Sequence, residues 1–302
     1  MSRLRCAFAA LLAATILTSS PGAAQERIKV IASFSILADL VKNVGGERVD
    51  VAALVGPGSD AHVFAPTPAD ARKVAEARLV VVNGLGFEGW LDRLVKAAGG
   101  KATVVVATKG LKARKAGGGH DQQDHGHDVD PHAWQNVANV KTYVANIRAA
   151  LAAADPSGAA AYQANAAAYS AKLDALGTEV RSAVAKIPAA RRKIITNHDA
   201  FGYFEAAYGI KFIAPQGVAT DSEPSARDVA RIISQIKRQK IPAVFLENVS
   251  DPRLMQRIAK ETGAKIGGTL YSDALTEANG PAPTYIEMIR HNLTTLAGAL
   301  TS

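Results

Sequence analysis

The chain has 302 residues, of which 48% are hydrophobic, and a formal net charge of +8 at pH 7. That length is enough for two domains of ordinary size, each with its own core. The basic residues are scattered along the chain and form no continuous stripe, which argues against a nucleic-acid-binding protein. Abundant alanine and few aromatic residues favour a helix-rich α/β protein over a β-sandwich.

Residues 1–24 are predicted to be a secretory signal peptide. Arg3 and Arg5 precede an apolar run, and small residues lead to a cleavage site expected near Ala24/Gln25. The run is too short to span a bilayer, and an uncleaved N-terminal anchor is the alternative. Cleavage would remove both arginines, which lowers the net charge from +8 to +6, together with the one cysteine of the chain. We therefore expect a soluble periplasmic protein without disulfides or thiolate ligands.

Strands and helices alternate in the first half of the mature chain. Apolar runs rich in β-branched residues predict strands, and segments of helical period between them predict helices. Thr67 and Pro68 give one helix an N-cap and a proline at its first position. The predicted strands are 28–34, 49–55, 79–82 and 103–107, and the predicted helices are 35–43, 68–77, 87–98 and 137–153.

A second long helix is predicted over residues 156–186. At about 30 residues it would be near 45 Å long, which exceeds the width of one small domain. One arm of a coiled coil is the alternative, but the heptads are too irregular for it. The better interpretation is a rigid helix that joins two lobes.

The alternation of strand and helix then restarts. Strands are predicted at 193–196, 211–214, 243–246 and 265–270, and helices at 200–208, 225–239, 252–262 and 284–300. The predicted architecture is two α/β lobes, each with a mainly parallel four-stranded sheet flanked by helices, joined by one long helix. The expected boundaries are 25–155 for the first lobe, 156–187 for the linking helix and 188–302 for the second lobe.

Four polar side chains follow predicted strands. His62 and His132 lie in loops after strands of the first lobe, and His198 and Asp273 come two and three residues after strands of the second. Ligands in open α/β sheets bind at the carboxyl ends of strands, so the four side chains are expected to meet in the cleft between the lobes. Singly, each residue has a plainer interpretation as a polar loop, capping or core residue. The repeat of D-A-H (residues 60–62) as D-P-H (residues 130–132) favours a shared function.

A tract rich in histidine and aspartate precedes His132. Residues 117–128 contain His120, His125 and His127 within a glycine-rich segment. Imidazole and carboxylate groups at this density are what a divalent metal such as zinc prefers. We interpret the tract as a mobile auxiliary loop that collects metal, and a solvated polar loop is the alternative.

Five motifs together resemble the periplasmic metal-binding receptors of zinc and manganese ABC importers, the ZnuA/TroA-like solute-binding proteins. They are DAHVFAPTPAD (60–70), DPHAW (130–134), TNHDAFGYFEAAYGI (196–210), SEPSARDVARII (222–233) and LYSDAL (270–275). The resemblance covers essentially the whole mature chain. It implies two α/β lobes on a rigid helix, metal in the cleft, and His62, His132, His198 and Asp273 as the ligands.

The chain departs from the family pattern at two places. Ala61 stands where the family usually has proline, and Gln135-Asn136-Val137 replaces the usual Leu-Asp-Pro. The first change is expected to loosen the loop that carries His62, and the second leaves the start of the following helix uncertain. The tract at 117–128 resembles the His-rich insertion of zinc-type members.

The ligand set predicts zinc as the cargo. Three imidazoles and one carboxylate suit tetrahedral Zn²⁺, whereas Mn²⁺ favours more oxygen ligands, and manganese-type members commonly have glutamate at the position of His198. Iron, cobalt and copper are lesser alternatives. Strand-end acceptors are expected to hold the imidazole rings, and the candidates are Asp60, Asn83, Asp199 and Glu247.

The predicted function is capture of Zn²⁺ and its delivery to an inner-membrane ABC permease, without catalysis. The expected form is a monomer, and a periplasmic metallochaperone is a further candidate partner. A zinc hydrolase is one alternative, with Glu247 as base, although the chain lacks H-E-x-x-H and a nucleophile elbow. An adhesion module with a purely structural metal is the other.

Overall fold

The computed structural model describes residues 27–117 and 128–301, and these form two α/β lobes. The first lobe contains a parallel sheet in the order β2-β1-β3-β4. Its strands are β1 (Ile28–Phe34), β2 (Val49–Val55), β3 (Leu79–Val82) and β4 (Thr103–Val106). Its helices are α1 (Ser35–Gly45), α2 (Pro68–Glu76), α3 (Leu91–Ala97) and α4 (Val137–Ala154). β1 and β3 are buried along nearly their whole length, and their sequences are therefore largely apolar, which is typical of central parallel strands.

Two-residue strands β5 (Arg114–Lys115) and β6 (Val129–Asp130) pair antiparallel between β4 and α4. This pairing holds the two ends of the predicted His-rich loop together. Gly117 and Asp128, the described residues at those ends, therefore lie beside the same strand pair. Sequence periodicity did not predict this pair, because two residues are too few to show a period of two.

The second lobe repeats the parallel design with the strand order β10-β9-β7-β8. Its strands are β7 (Lys193–Ile195), β8 (Lys211–Ile213), β9 (Ala243–Glu247) and β10 (Lys265–Leu270). Its helices are α6 (Gly202–Tyr208), α7 (Ala226–Gln239), α8 (Arg253–Thr262) and α9 (Tyr285–Thr301). The predicted fold of two parallel sheets flanked by helices is confirmed.

A long helix, α5 (Ala159–Ala185), connects the lobes after a single 3₁₀ turn. Its 27 residues span about 40 Å. It packs against α1 and α4 of the first lobe and against α9 of the second. Its buried stripe is Tyr162, Ala166, Tyr169, Leu173, Leu176, Gly177, Val180 and Val184. The helix therefore braces both lobes.

The last helix, α9, contacts both lobes. It packs along β10 and α5, and it also reaches α1 of the first lobe. Tyr285, at its first turn, is fully buried, and its hydroxyl donates a hydrogen bond to the carbonyl oxygen of Trp134 at 2.8 Å. The hydrophobic core therefore runs from one lobe into the other, with a second, smaller cluster between the β7–β9 sheet and helices α7 and α8.

Most predicted bounds agree with the structure to within two residues. Helix α5 begins three residues later than predicted, after the 3₁₀ turn, and α3 differs more. It begins at Leu91 where the sequence predicted residue 87. The carboxylate of Glu88 turns inward instead, and it accepts hydrogen bonds from the backbone of Asn83 and Gly84 and from the Ser33 hydroxyl. That network holds residues 83–88 in a turn. Within the described ranges, no helix is both long enough and apolar enough to span a bilayer.

Candidate metal centre

The structure brings His62, His132, His198 and Asp273 together between the lobes. One ligand atom from each lies within 4.8 Å of the others. The Asp273 carboxylate lies 3.4 Å from His62 Nε2, 3.7 Å from His132 Nε2 and 3.1 Å from His198 Nε2. His62, His198 and Asp273 each follow a strand of one of the two parallel sheets, as the carboxyl-end rule expects. His132 instead directly follows β6 of the small antiparallel pair.

The inward-facing atoms of this cluster have no hydrogen-bond partner among the described residues. They are the Nε2 atoms of the three histidines and both oxygens of Asp273, and all are buried. Unpaired buried polar atoms are costly, and four side chains that present them to one point need a common partner. Four ligands bound tetrahedrally at zinc–nitrogen distances lie about 3.4 Å apart, which is close to the three separations between Asp273 and the histidines. The donor set therefore fits a divalent metal ion.

Two of the histidines have the same backbone geometry. Asp60 Oδ1 accepts the backbone N–H of His62 at 2.8 Å, and Asp130 Oδ1 accepts the backbone N–H of His132 at 3.0 Å. This contact across two residues is the local turn that aspartate favours. It explains why D-A-H and D-P-H recur at the two loops.

The ring of His132 is oriented by Asp130. Asp130 Oδ1 also lies 2.9 Å from His132 Nδ1, so the opposite ring nitrogen faces Asp273. Asn83 supports the same segment, because its Nδ2 donates to the carbonyl oxygen of Pro131 at 2.9 Å. The sequence reasoning did not assign Asp130 to the ring, although the D-x-H spacing was the available signal.

Glu247, at the end of β9, holds His198. One carboxylate oxygen accepts the backbone N–H groups of Asn197 and His198, and the other lies 2.6 Å from His198 Nδ1. Four residues were predicted to hold the imidazole rings of the ligands. Glu247 contacts a ring nitrogen, whereas Asp60 and Asn83 form hydrogen bonds to backbone atoms of the ligand loops. Asp199 lies close to His132 and His198, and burial raises the pKa of its carboxyl.

The protonation states prepare the cluster for a cation. Burial lowers the pKa of His62, which keeps that imidazole neutral. Burial also opposes protonation of His198, but the carboxylates of Glu247 and Asp273 outweigh it and raise its pKa well above the usual range. Burial of Asp273 is likewise outweighed by His198 and His132, which hold its pKa well below the usual value. These directions favour an ionised Asp273 and a protonated His198 in the metal-free cluster.

Hydrogen bonds across the lobes fix His132 relative to Asp273. The side chains of Trp134 and Gln135 both donate to the carbonyl oxygen of Ser272, at 2.9 and 2.8 Å. The chain departs from the family pattern just after His132, and the residues there have structural roles. Asn136, for example, caps α4 by accepting the backbone N–H of Ala138. At the other departure, the carbonyl of Ala61 accepts a hydrogen bond from Trp90 Nε1.

Comparison with known proteins identifies the family. The profile described as "Zinc-uptake complex component A periplasmic" (ZnuA) matches residues 30–299. The chain belongs to this family.

The relatives of this chain are named for different metals. The chain is 35% identical to the manganese-binding lipoprotein MntA of Bacillus subtilis, over 94% of this chain and 93% of the relative. It is 32% identical to the iron-binding protein YfeA of Yersinia pestis, over 96% and 92%. It is 31% identical to the zinc-binding protein TroA of Treponema pallidum, over 93% and 92%. The solved structure of TroA superposes with a TM-score of 0.84 at 30% identity, covering 91% of this chain and all of TroA.

These relatives establish the general role of the ZnuA-family chain. It is a periplasmic metal-binding receptor of an ABC importer and not an enzyme, and its partner is a membrane permease. The bound cargo is a divalent metal. The predicted loop ligands His120, His125 and His127 and the predicted signal peptide lie outside the described residues.

Proposed function

We propose that this receptor captures Zn²⁺ through His62, His132, His198 and Asp273 and delivers it to its permease. One observation carries the proposal: three imidazole nitrogens and one carboxylate, all buried and unpaired, face a common point. Zinc takes four nitrogen and oxygen ligands tetrahedrally, whereas Mn²⁺ prefers more oxygen ligands.

A manganese receptor of the same type is the second candidate. Its support is the 35% identity to a manganese-binding lipoprotein, which is higher than the identity to zinc-binding TroA. Overall identity averages over the whole fold, whereas metal choice depends on the donor atoms. The ligand chemistry is therefore the stronger argument.

The test is competition among metals for the demetallated protein. Zinc should bind one tight site and resist displacement by equimolar manganese. His198→Ala should abolish that site, whereas His291→Ala should not, because His291 lies on α9 and contacts the backbone of Thr269. Displacement of zinc by manganese, or unchanged stoichiometry in His198→Ala, would contradict the proposal. Copper is included because it can outbind zinc at nitrogen ligands.

Further parts of the proposal concern the rest of the chain. We infer that residues 1–24 are cleaved near Ala24/Gln25 and that the mature protein acts as a monomer of two lobes, 25–155 and 188–302, on the 156–187 helix. The 117–128 loop would serve as an accessory zinc-collecting arm. Its position between β5 and β6 supports this role, since β6 ends at Asp130, which contacts His132. A metallochaperone that loads this arm is part of the same proposal.

A further inference from the structure

The described residues that form the proposed ion site are shielded from solvent. The side chains of His132, His198 and Asp273 are fully buried, and that of His62 is 4% exposed. An ion can therefore bind or leave only if part of the surrounding chain moves. Because His62 is the least buried of the four side chains, its loop is the first candidate for that movement.

The loop that carries His62 is held to its own lobe and to the other. Within its lobe, Trp90 Nε1 donates to the Ala61 carbonyl, and the ring of Phe87 contacts the His62 ring edge-on with centroids 4.7 Å apart. Across the cleft, the backbone N–H of Gly58 donates to the carbonyl of Leu275 at 2.9 Å.

A second bond across the cleft is made by side chains. The hydroxyl of Thr220 donates to Asp60 Oδ2 at 2.6 Å. The other oxygen of the same carboxylate accepts the backbone N–H of His62. One carboxylate therefore links the backbone of a ligand residue to the opposite lobe.

The segment that carries Thr220 is itself attached beside His198. Gln216 pairs with His198 in a parallel bridge, and the Gly217 carbonyl accepts the backbone N–H of Asp199. The path His62–Asp60–Thr220–Gly217–Asp199 thus connects two ligand loops from different lobes. By contrast, His132 and Asp273 are connected by the buried bonds of Trp134 and Gln135 to Ser272.

A cavity of about 520 Å³ lies against this path. Its lining includes Asp60 and Asn197, which lie close in sequence to His62 and His198. It also includes Thr220, which bonds Asp60, and Gln216, which pairs with His198. Asn197 is buried, and its Oδ1 has no hydrogen-bond partner among the described residues. The Asp60 carboxylate, which lines the cavity, gives a hydrated cation a polar contact beside the site.

We propose that the Asp60–Thr220 hydrogen bond is a latch on this side of the metal site, and that the ion enters and leaves through the 520 Å³ cavity when the latch opens. The latch closes the His62 loop against the second lobe whether or not metal is bound. It therefore slows both association and release, and it changes the equilibrium affinity little. This inference rests on the proposed ligand set, because His62 must be a ligand for its loop to control the ion.

The test is the rate of zinc exchange in Thr220→Val, which removes the donor and keeps the shape of the side chain. Association is followed by stopped flow with zinc chloride, and release is followed by capture with a chromophoric chelator. Loss of one hydrogen bond should raise both rates roughly three- to tenfold and change Kd by less than about threefold. Thr220→Ser retains the hydroxyl and should restore wild-type rates.

Thr178→Val is the matched control, since Thr178 lies exposed on α5 and bonds the Asp174 carbonyl. Its rates should equal those of the wild type. Unchanged rates in Thr220→Val would overturn the latch, and so would faster release with unchanged association, which would mean that Thr220 only positions His62. Failure of the wild-type protein to bind zinc at all would instead overturn the proposed function, so the two failures are distinguishable.

Discussion

At the scale of single residues, the site depends on carboxylates that do not face the metal. Glu247 and Asp130 each contact the Nδ1 atom of a histidine and the backbone beside it. Such contacts fix the tautomer and the orientation of a metal-binding imidazole. The two acids therefore determine where the lone pairs of His198 and His132 point.

Replacement of Glu247 by glutamine should weaken zinc binding about 10- to 100-fold. The amide retains an acceptor for the backbone N–H groups of Asn197 and His198, but it loses the charge beside Nδ1. The measurement is Kd by chelator competition, with circular dichroism as a check of the fold. Glu261→Gln is the control, because Glu261 is an exposed partner of Arg257. Equal zinc affinities in the two variants would contradict the role assigned to Glu247.

Zinc binding should release about one proton near neutral pH. The raised pKa of His198 means that its imidazole is protonated in the metal-free site, whereas coordination requires the neutral ring. Below that pKa, affinity should fall about tenfold for each unit of pH. Calorimetry in buffers of different ionisation enthalpy measures the proton count. Glu247→Gln should release fewer protons, and a count of zero for the wild type would show that His198 is already neutral.

At the scale of elements, a half-buried carboxylate joins the first helix to the last. Asp39 of α1 accepts the backbone N–H of Tyr285, at the start of α9, at 3.0 Å. Burial raises its pKa to about 6, although this bond and the bond from Asn43 favour the ionised form. The contact between the two helices therefore includes a group that titrates close to neutral pH.

Asp39→Asn should remove one pH-dependent contribution to stability. Because the folded pKa exceeds the unfolded value, Asp39 stabilises the fold below about pH 4, and this contribution is lost as the pH rises through about 6. The wild type should therefore lose up to about 3 kcal/mol relative to the variant between those values. Urea unfolding of both metal-free proteins at several pH values measures the difference. A difference that is flat with pH would mean that Asp39 titrates normally in the fold.

The elements also show which structural features a sequence reveals. Strands β1 and β3 have the predicted bounds because a buried parallel strand is a largely continuous apolar run between turn residues. The start of α3 and the pairing of β5 with β6 were missed. Glu88 is hydrophilic, and its inward orientation depends on backbone N–H groups that only the folded chain brings near.

The metal site likewise has features that the sequence predicts and features that it does not. His62, His132, His198 and Asp273 were predictable from their positions after strands, because the topology alone places strand ends at one edge. The contact of Asp130 with the His132 ring and the bond of Thr220 to Asp60 were not predictable. Both depend on the rotamer of a side chain, and the second joins residues 160 positions apart.

At the scale of the molecule, the His-rich segment connects β5 to β6 in the sequence, and the four described ligands belong to other segments. Deletion of residues 118–127 should leave the tight zinc site intact, because the described ligands and their supporting carboxylates lie elsewhere. Removal of these accessory histidines should reduce zinc uptake at low concentration or remove a second, weaker equivalent. Isothermal titration measures both equivalents. Loss of the tight equivalent would show that the loop supplies a primary ligand.

The return of α9 to the first lobe has a consequence for how the protein is made. Tyr285 completes a core around Trp134, and its backbone is bound by Asp39, so the first lobe includes residues near the end of the chain. Chains are synthesised from the N-terminus, and domains usually fold in that order. Here the first lobe cannot finish packing until the final helix arrives. A chain that ends before α9 would therefore lack part of the core of the first lobe as well as part of the second.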